Sequence, residues 1–170
     1  HALTQGDARR IGMAAQITRA LASHEIIPYY QPKIDLDSGL VCGFEALARW
    51  RHPERGLLTP AVFGSVFDMP ELARDIGREM ARQVLDDLRG WIDSGFAAGP
   101  VALNLAAADF GEGGLAWALP DMLAERAIPA RYCAVEVTER VFLGEGGGTV
   151  AGALTYLDRA GIRIALDDFG

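Results

Sequence analysis

Apolar and polar positions along the chain follow two periods, one helical and one extended. Over residues 7–23, Ile11, Ala14, Ile17 and Leu21 recur at helical spacing and predict an amphipathic helix. The stretch "IIPYYQPKIDL" (26–36) is rich in β-formers but carries Pro28 and Pro32. Proline has no N–H to give to a ladder, so this segment is expected as an edge or irregular strand. Asp37-Ser38-Gly39 is a turn signal, and "LVCGFEALARW" (40–50) follows as a second strand. The two are expected to pair as an antiparallel hairpin. Thr59-Pro60 starts a helix, with an N-cap residue followed by proline at the first helical position. A longer helix is predicted from about Pro70 to Trp91, where Ile76, Met80, Val84 and Leu88 repeat every fourth residue, and Gly95 suits its termination.

Beyond residue 100 the two periods alternate regularly. Strands are predicted at 101–105 ("VALNL"), 133–137 ("CAVEV") and 162–166 ("IRIAL"), with helices near 114–126 and 149–160 between them. Strand, helix, strand, helix, strand is the pattern of parallel βαβ units. Strands apolar throughout are expected where helices cover the sheet. The glycine-rich "GEGGGTV" (144–150) lacks the Gly-Lys-Ser/Thr ending of a phosphate loop and reads as a flexible connection before a helix.

Composition narrows the class. The chain has 170 residues, 50% of them hydrophobic, enough for one domain with a real core. No stretch reaches the roughly 20 apolar residues of a membrane span, and residues 1–25 read as an N-terminal helix or linker. A formal net charge of −7 disfavours non-specific nucleic-acid binding, which needs a basic face. It leaves room for a small phosphorylated ligand held by one or two arginines. Cys42 and Cys133 sit in apolar runs and read as reduced core thiols of a cytoplasmic protein. His1, His24 and His52 are too scattered for a zinc site.

Each strand nevertheless carries a polar residue in or beside its apolar run. Asn104 interrupts Leu103 and Leu105, Glu136 lies between Val135 and Val137, and Asp167 follows Leu166. One βα unit separates each from the next, so the same position recurs near successive strand C-termini, the edge that bears the active site in α/β folds. Glu45 in "GFEALARW" is a fourth case. A carboxylate in an apolar strand needs compensation. A basic partner is one route, but Arg163 is the sole basic residue in the later strands' runs. Protonation is another. A divalent cation is the third, and oxygen donors without His or Cys suit Mg²⁺, Mn²⁺ or Ca²⁺. Adjacent Asp167 and Asp168 would then serve two ions, as at two-metal phosphoryl centres. The plainer reading stays open as well: Asp167 and Asp168 capping a helix, Glu136 pairing with an arginine, and Asn104 bonding to backbone.

These residues also fall in motifs. "YYQP" (29–32), "GFEALARW" (43–50), "ALNLA" (102–106), "VEVTE" (135–139) and "LDDFG" (166–170) resemble, in order, those of the EAL-domain family of cyclic di-GMP phosphodiesterases. The resemblance implies a TIM-like (β/α)8 barrel with an antiparallel first strand. It implies hydrolysis of cyclic di-GMP to linear pGpG with two Mg²⁺ or Mn²⁺ ions at the C-terminal mouth. By motif, Glu45, Asn104, Glu136 and Asp167 correspond to metal ligands, and Asp168 to a ligand of the second ion. Glu139 corresponds to the glutamate that steadies the loop after the Asp-Asp pair. Gln31 and Arg49 correspond to substrate contacts, and a guanidinium fork is apt for phosphate.

A (β/α)8 barrel needs at least about 200 residues. The sequence spells about five strands, so residues 26–170 are expected to be the N-terminal portion of the barrel, completed by a continuation or by another chain. The family's active-site lysine, a further glutamate and a glutamine have no counterpart here, and Lys33, the single lysine, lies on the first strand. The resemblance further suggests an upstream GGDEF or sensory domain and admits a homodimer. The competing function is a catalytically degenerate EAL domain that binds cyclic di-GMP as a receptor without cleaving it.

Overall fold

The structure is a computed structural model, and it describes residues 5–96, 99–138, 141 and 147–167. A curled sheet carries helices on one face. Helix α1 (Gln5–Ala22) leads into β1 (Ile26–Ile34) and β2 (Val41–His52), then a short β3 (Gly56–Leu58). Helix α2 (Pro60–Phe63), a 3-10 turn (Gly64–Asp68) and the long α3 (Pro70–Asp93) follow. The βα rhythm then runs through β4 (Val101–Leu105), α4 (Leu115–Glu125), β5 (Cys133–Thr138), α5 (Gly147–Arg159) and β6 (Arg163–Asp167).

The strand order is β1-β2-β4-β5-β6, with β3 paired to β2. β1 and β2 are antiparallel, and the β2–β4, β4–β5 and β5–β6 pairs are parallel. This mostly parallel, helix-covered sheet, opened by an antiparallel hairpin, forms a partial TIM-like barrel. The proline-bearing β1 is one edge among the described strands, as expected of a segment that cannot donate at two positions, and β6 is the other.

Side-chain alternation sorts the core from the site. On the helix side, Val101, Leu103 and Leu105 of β4 and Cys133, Val135 and Val137 of β5 are buried. They join Ile76, Val84, Leu85 and Leu88 of α3, Leu115 and Leu119 of α4 and Ala153 and Leu157 of α5 in one core. The opposite face carries Ala102, Asn104, Ala134, Glu136 and Ala165. Small side chains alternating with polar ones leave that face open.

Gly43 marks a close approach at the hairpin. A Cβ there would lie 2.6 Å from the Pro100 carbonyl oxygen, which accepts the Phe44 N–H at 2.9 Å. Without a side chain at 43, β4 enters the sheet tightly against β2.

Three expectations need correction. Cys42 is exposed and not a core thiol, whereas Cys133 is fully buried. The pairing shifts between Lys33 and Ile34, which drops Cys42 out of the ladder and leaves its thiol donating to the Lys33 carbonyl oxygen at 3.4 Å. Ile11 is 55% exposed although it shares the helical period of Ile17. Helix α1 packs through Ile17 and Ala20, with Met13, Ala14 and Leu21 beside them, and Ile11 lies off that stripe. The third concerns Glu136 and belongs with the site.

Candidate functional site

Register brings the polar strand residues together. Gln31 on β1 lies opposite Glu45 on β2, and directly opposed residues of an antiparallel pair share a face. Glu45 aligns with Ala102 of β4, so Asn104 stands two residues nearer the strand ends on the same face. Asn104 aligns with Glu136 of β5. Glu136 aligns with Ala165 of β6, and Asp167, opposite Thr138, is again two residues further along. By alternation Arg49 continues the face of Glu45 toward the C-terminal end of β2, and Lys33 shares the face of Gln31. The structure thus sets Gln31, Lys33, Glu45, Arg49, Asn104, Glu136 and the Asp167 position on one sheet face. The side chain of Asp167 and all of Glu139 and Asp168 lie outside the described residues, and so do the helix-capping alternative and residues 144–146 of the glycine-rich stretch.

Two contacts tie these groups. The Asn104 amide donates to Glu45 Oε1 at 2.8 Å. The Lys33 ammonium donates to Glu136 Oε1. This second contact is the third correction. The later strands offer no basic partner, but the sheet curls enough for a lysine of the first strand to reach β5. Glu136 is 5% exposed, so a positive charge here offsets a desolvation cost of several kcal/mol. Arg49 is half-buried, and its Nη1 donates to the neighbouring Ala48 carbonyl at 2.8 Å. Gln31 is exposed.

The strand ends open into a cleft of about 950 Å³ lined by Leu47, Asn104, Glu136 and Thr138 on the strands and by Phe67 and Gly111 on the flanking loops. The donor set fits a hard cation. Glu45, Glu136 and the Asn104 amide supply oxygen alone, and no soft ligand lies among them. Among the described residues no three His, Cys, Asp or Glu side chains converge on one point.

Sequence reasoning missed two groups at this cleft. Lys33 is visible as a polar residue two positions after Gln31, but its partner is 103 residues away. The other is Asp109, on the 3-10 turn Ala107–Phe110 after β4. It is 1% exposed. Its Oδ2 accepts the Ala106 N–H at 2.9 Å, and its Oδ1 has no hydrogen-bond partner among the described residues. Gly77 of α3 makes room for it, since a Cβ there would lie 3.0 Å from Oδ1. Burial pushes the Asp109 carboxyl up to about 6, against the Ala106 N–H and the charges of Arg74 and Arg78, which pull it down. The lone acid of "AAADF" was the available signal.

Asp109 predicts a pH dependence. Its folded-state pKa lies above the ordinary carboxylate value, so the folded chain takes up this proton more readily than the unfolded one. Its contribution to stability therefore falls as pH rises from about 4 to about 6, and the penalty is complete above that range. The Asp109→Asn variant lacks this titration. Calorimetry at pH 5 and pH 8 should show the parent losing roughly 1–1.5 kcal/mol relative to the variant at the higher pH. Parallel profiles would remove Asp109 as the titrating group.

Comparison with known proteins places the architecture. The EAL domain model matches residues 14–170, and the chain belongs to that family. It is 31% identical over 154 residues to the bifunctional diguanylate cyclase/cyclic di-GMP phosphodiesterase MucR of Pseudomonas aeruginosa, covering 91% of this chain and 22% of MucR. It is 29% identical over 169 residues to the cyclic di-GMP phosphodiesterase PA2567 of the same organism, covering 99% of this chain and 28% of that protein. The solved MucR phosphodiesterase in complex with c-di-GMP superimposes with a TM-score of 0.84 at 30% identity, over 94% of this chain and 64% of that one. The chain spans about a quarter of the length of the first curated relatives it matches, 22–25% of each.

Proposed function

We propose that this chain carries the first part of the catalytic site of a metal-dependent phosphodiesterase that hydrolyses cyclic di-GMP to linear pGpG in the cytoplasm. The observation that carries the reading is the single sheet face holding Glu45, Asn104, Glu136 and the Asp167 position at the strand ends. Relatives with the same architecture are cyclic di-GMP phosphodiesterases, one of them solved with that dinucleotide.

In this reading Glu45, Asn104, Glu136 and Asp167 hold one Mg²⁺ or Mn²⁺, and Asp168 serves a second. When bound, such ions supply a usable nucleophile near neutral pH and offset charge on the phosphoryl oxygens. The chain's own residues do the rest. The Asn104 amide fixes the Glu45 carboxylate in its rotamer. Arg49 exchanges its contact with the Ala48 carbonyl for a phosphate, to which a guanidinium presents parallel donors. Gln31, exposed beside Glu45, offers an amide to the substrate. Glu139 steadies the loop after Asp168. An upstream GGDEF or sensory domain and a homodimeric assembly complete the proposal.

Arg49→Ala tests the substrate side. Losing one charge-assisted fork costs about 2–3 kcal/mol of binding. The dissociation constant for cyclic di-GMP, read by calorimetry, should rise roughly 30- to 100-fold with the melting temperature little changed. A variant that binds as tightly as the parent would remove Arg49 from the substrate site.

A further inference from the structure

The Lys33–Glu136 pair has features unlike an ordinary structural salt bridge. Glu136 is 5% exposed and flanked on its own strand by Val135 and Val137, both 0% exposed. Its partner comes from β1, with β2 and β4 standing between in the sheet. The contact thus spans the inside of the curl. Lys33 keeps 39% of its side chain exposed, so the ammonium has a direct path to water. Opposite Lys33 on β2 stands Gly43, which places no side chain beside the lysine stem. One partner is buried in the sheet and the other is part-exposed.

We infer that Lys33 is the built-in counter-ion of the metal-free site: its ammonium holds Glu136 until a divalent cation takes that carboxylate, and ion binding releases the amine into solvent. This rests on the reading of Glu136 as a metal ligand. A carboxylate only 5% exposed cannot remain alone between one ion and the next without a large desolvation cost. A compact, strongly hydrated point charge on a flexible four-carbon stem relieves that cost and leaves readily. An arginine fork would hold the carboxylate more firmly and compete longer with the ion. The doubly charged cation then supplies more charge than the ammonium it displaces.

The inference predicts opposite signs for two properties of one variant. In Lys33→Met, Glu136 has no counter-ion, so the metal-free protein should melt at a lower temperature. The same variant should bind Mn²⁺ roughly tenfold more tightly in a calorimetric titration, because no pair has to be broken first. Lys33→Arg should bind Mn²⁺ no more tightly than the parent. A second readout needs no variant. Acylation of the Lys33 amine in the parent, located by peptide mass, should be slow without metal and accelerate when Mg²⁺ is added.

Unchanged or weaker Mn²⁺ binding by Lys33→Met overturns the inference, as does an acylation rate indifferent to Mg²⁺. Either result leaves the metal site itself standing. If neither parent nor variant binds Mn²⁺, the reading of Glu136 as a ligand fails, and this inference fails with it.

Discussion

Glu136→Gln is expected to lower metal-dependent hydrolysis of cyclic di-GMP by at least about a hundredfold at fixed Mg²⁺, while the chain stays folded. The substitution keeps the shape of the side chain and removes only its charge. A neutral amide is a weaker ligand than a carboxylate for a hard cation, and even groups that merely orient metal ligands cost about 10- to 100-fold when lost. A group proposed to touch the ion should cost no less. Stability should change little, because Lys33 is part-exposed and turns to water once its partner is neutral. Raising Mg²⁺ should recover part of the activity. Hydrolysis within about threefold of the parent at limiting Mg²⁺ would show that Glu136 does not ligate the ion.

Leu85→Ala is expected to have the largest effect on stability. Leu85 is 0% exposed on α3, the helix that contacts β1, β2 and β4. Truncation removes its buried methyl groups and leaves a cavity, because surrounding strands and helices relax only in part. The expected loss is about 3–4 kcal/mol, a large share of the 5–15 kcal/mol that holds a typical domain together. Urea titration should show a lower midpoint with an unchanged slope. Ile11→Ala, at a position 55% exposed on the same kind of amphipathic pattern, should change stability by less than about 0.5 kcal/mol. A loss below about 1 kcal/mol at Leu85 would mean that α3 does not seal the core as described.

Much of this architecture was legible because local signals and tertiary context agree. The runs around Leu103, Val135 and Ile164 carry large apolar residues on the face that packs against the helices. Helices α3 and α5 announce themselves by period. Asp37-Ser38-Gly39 marks the hairpin, and a polar residue recurring every βα unit marks the mouth. What was illegible depends on distant geometry. β3 is three residues long, and its extended form comes from pairing with Trp50, Arg51 and His52. The exposure of Cys42 follows from a register shift one strand away. Ile11 keeps the helical period without a surface to meet. The contact of Lys33 with Glu136 needs the curl of the whole sheet, and the burial of Asp109 needs a glycine on α3. The local trace of each is a single polar residue, Lys33 two positions after Gln31 and the lone acid of "AAADF", and neither names its partner.

The most direct test of the central claim is turnover of cyclic di-GMP by the protein with Mg²⁺, without divalent metal, and in an Asp167→Asn variant. The account predicts linear pGpG from the parent with Mg²⁺ alone, with product lost on chelation and restored by added ion, and essentially none from the variant. Tight binding of the dinucleotide with no product would contradict it and make this EAL domain a receptor. Product that persists after chelation would contradict the metal site itself.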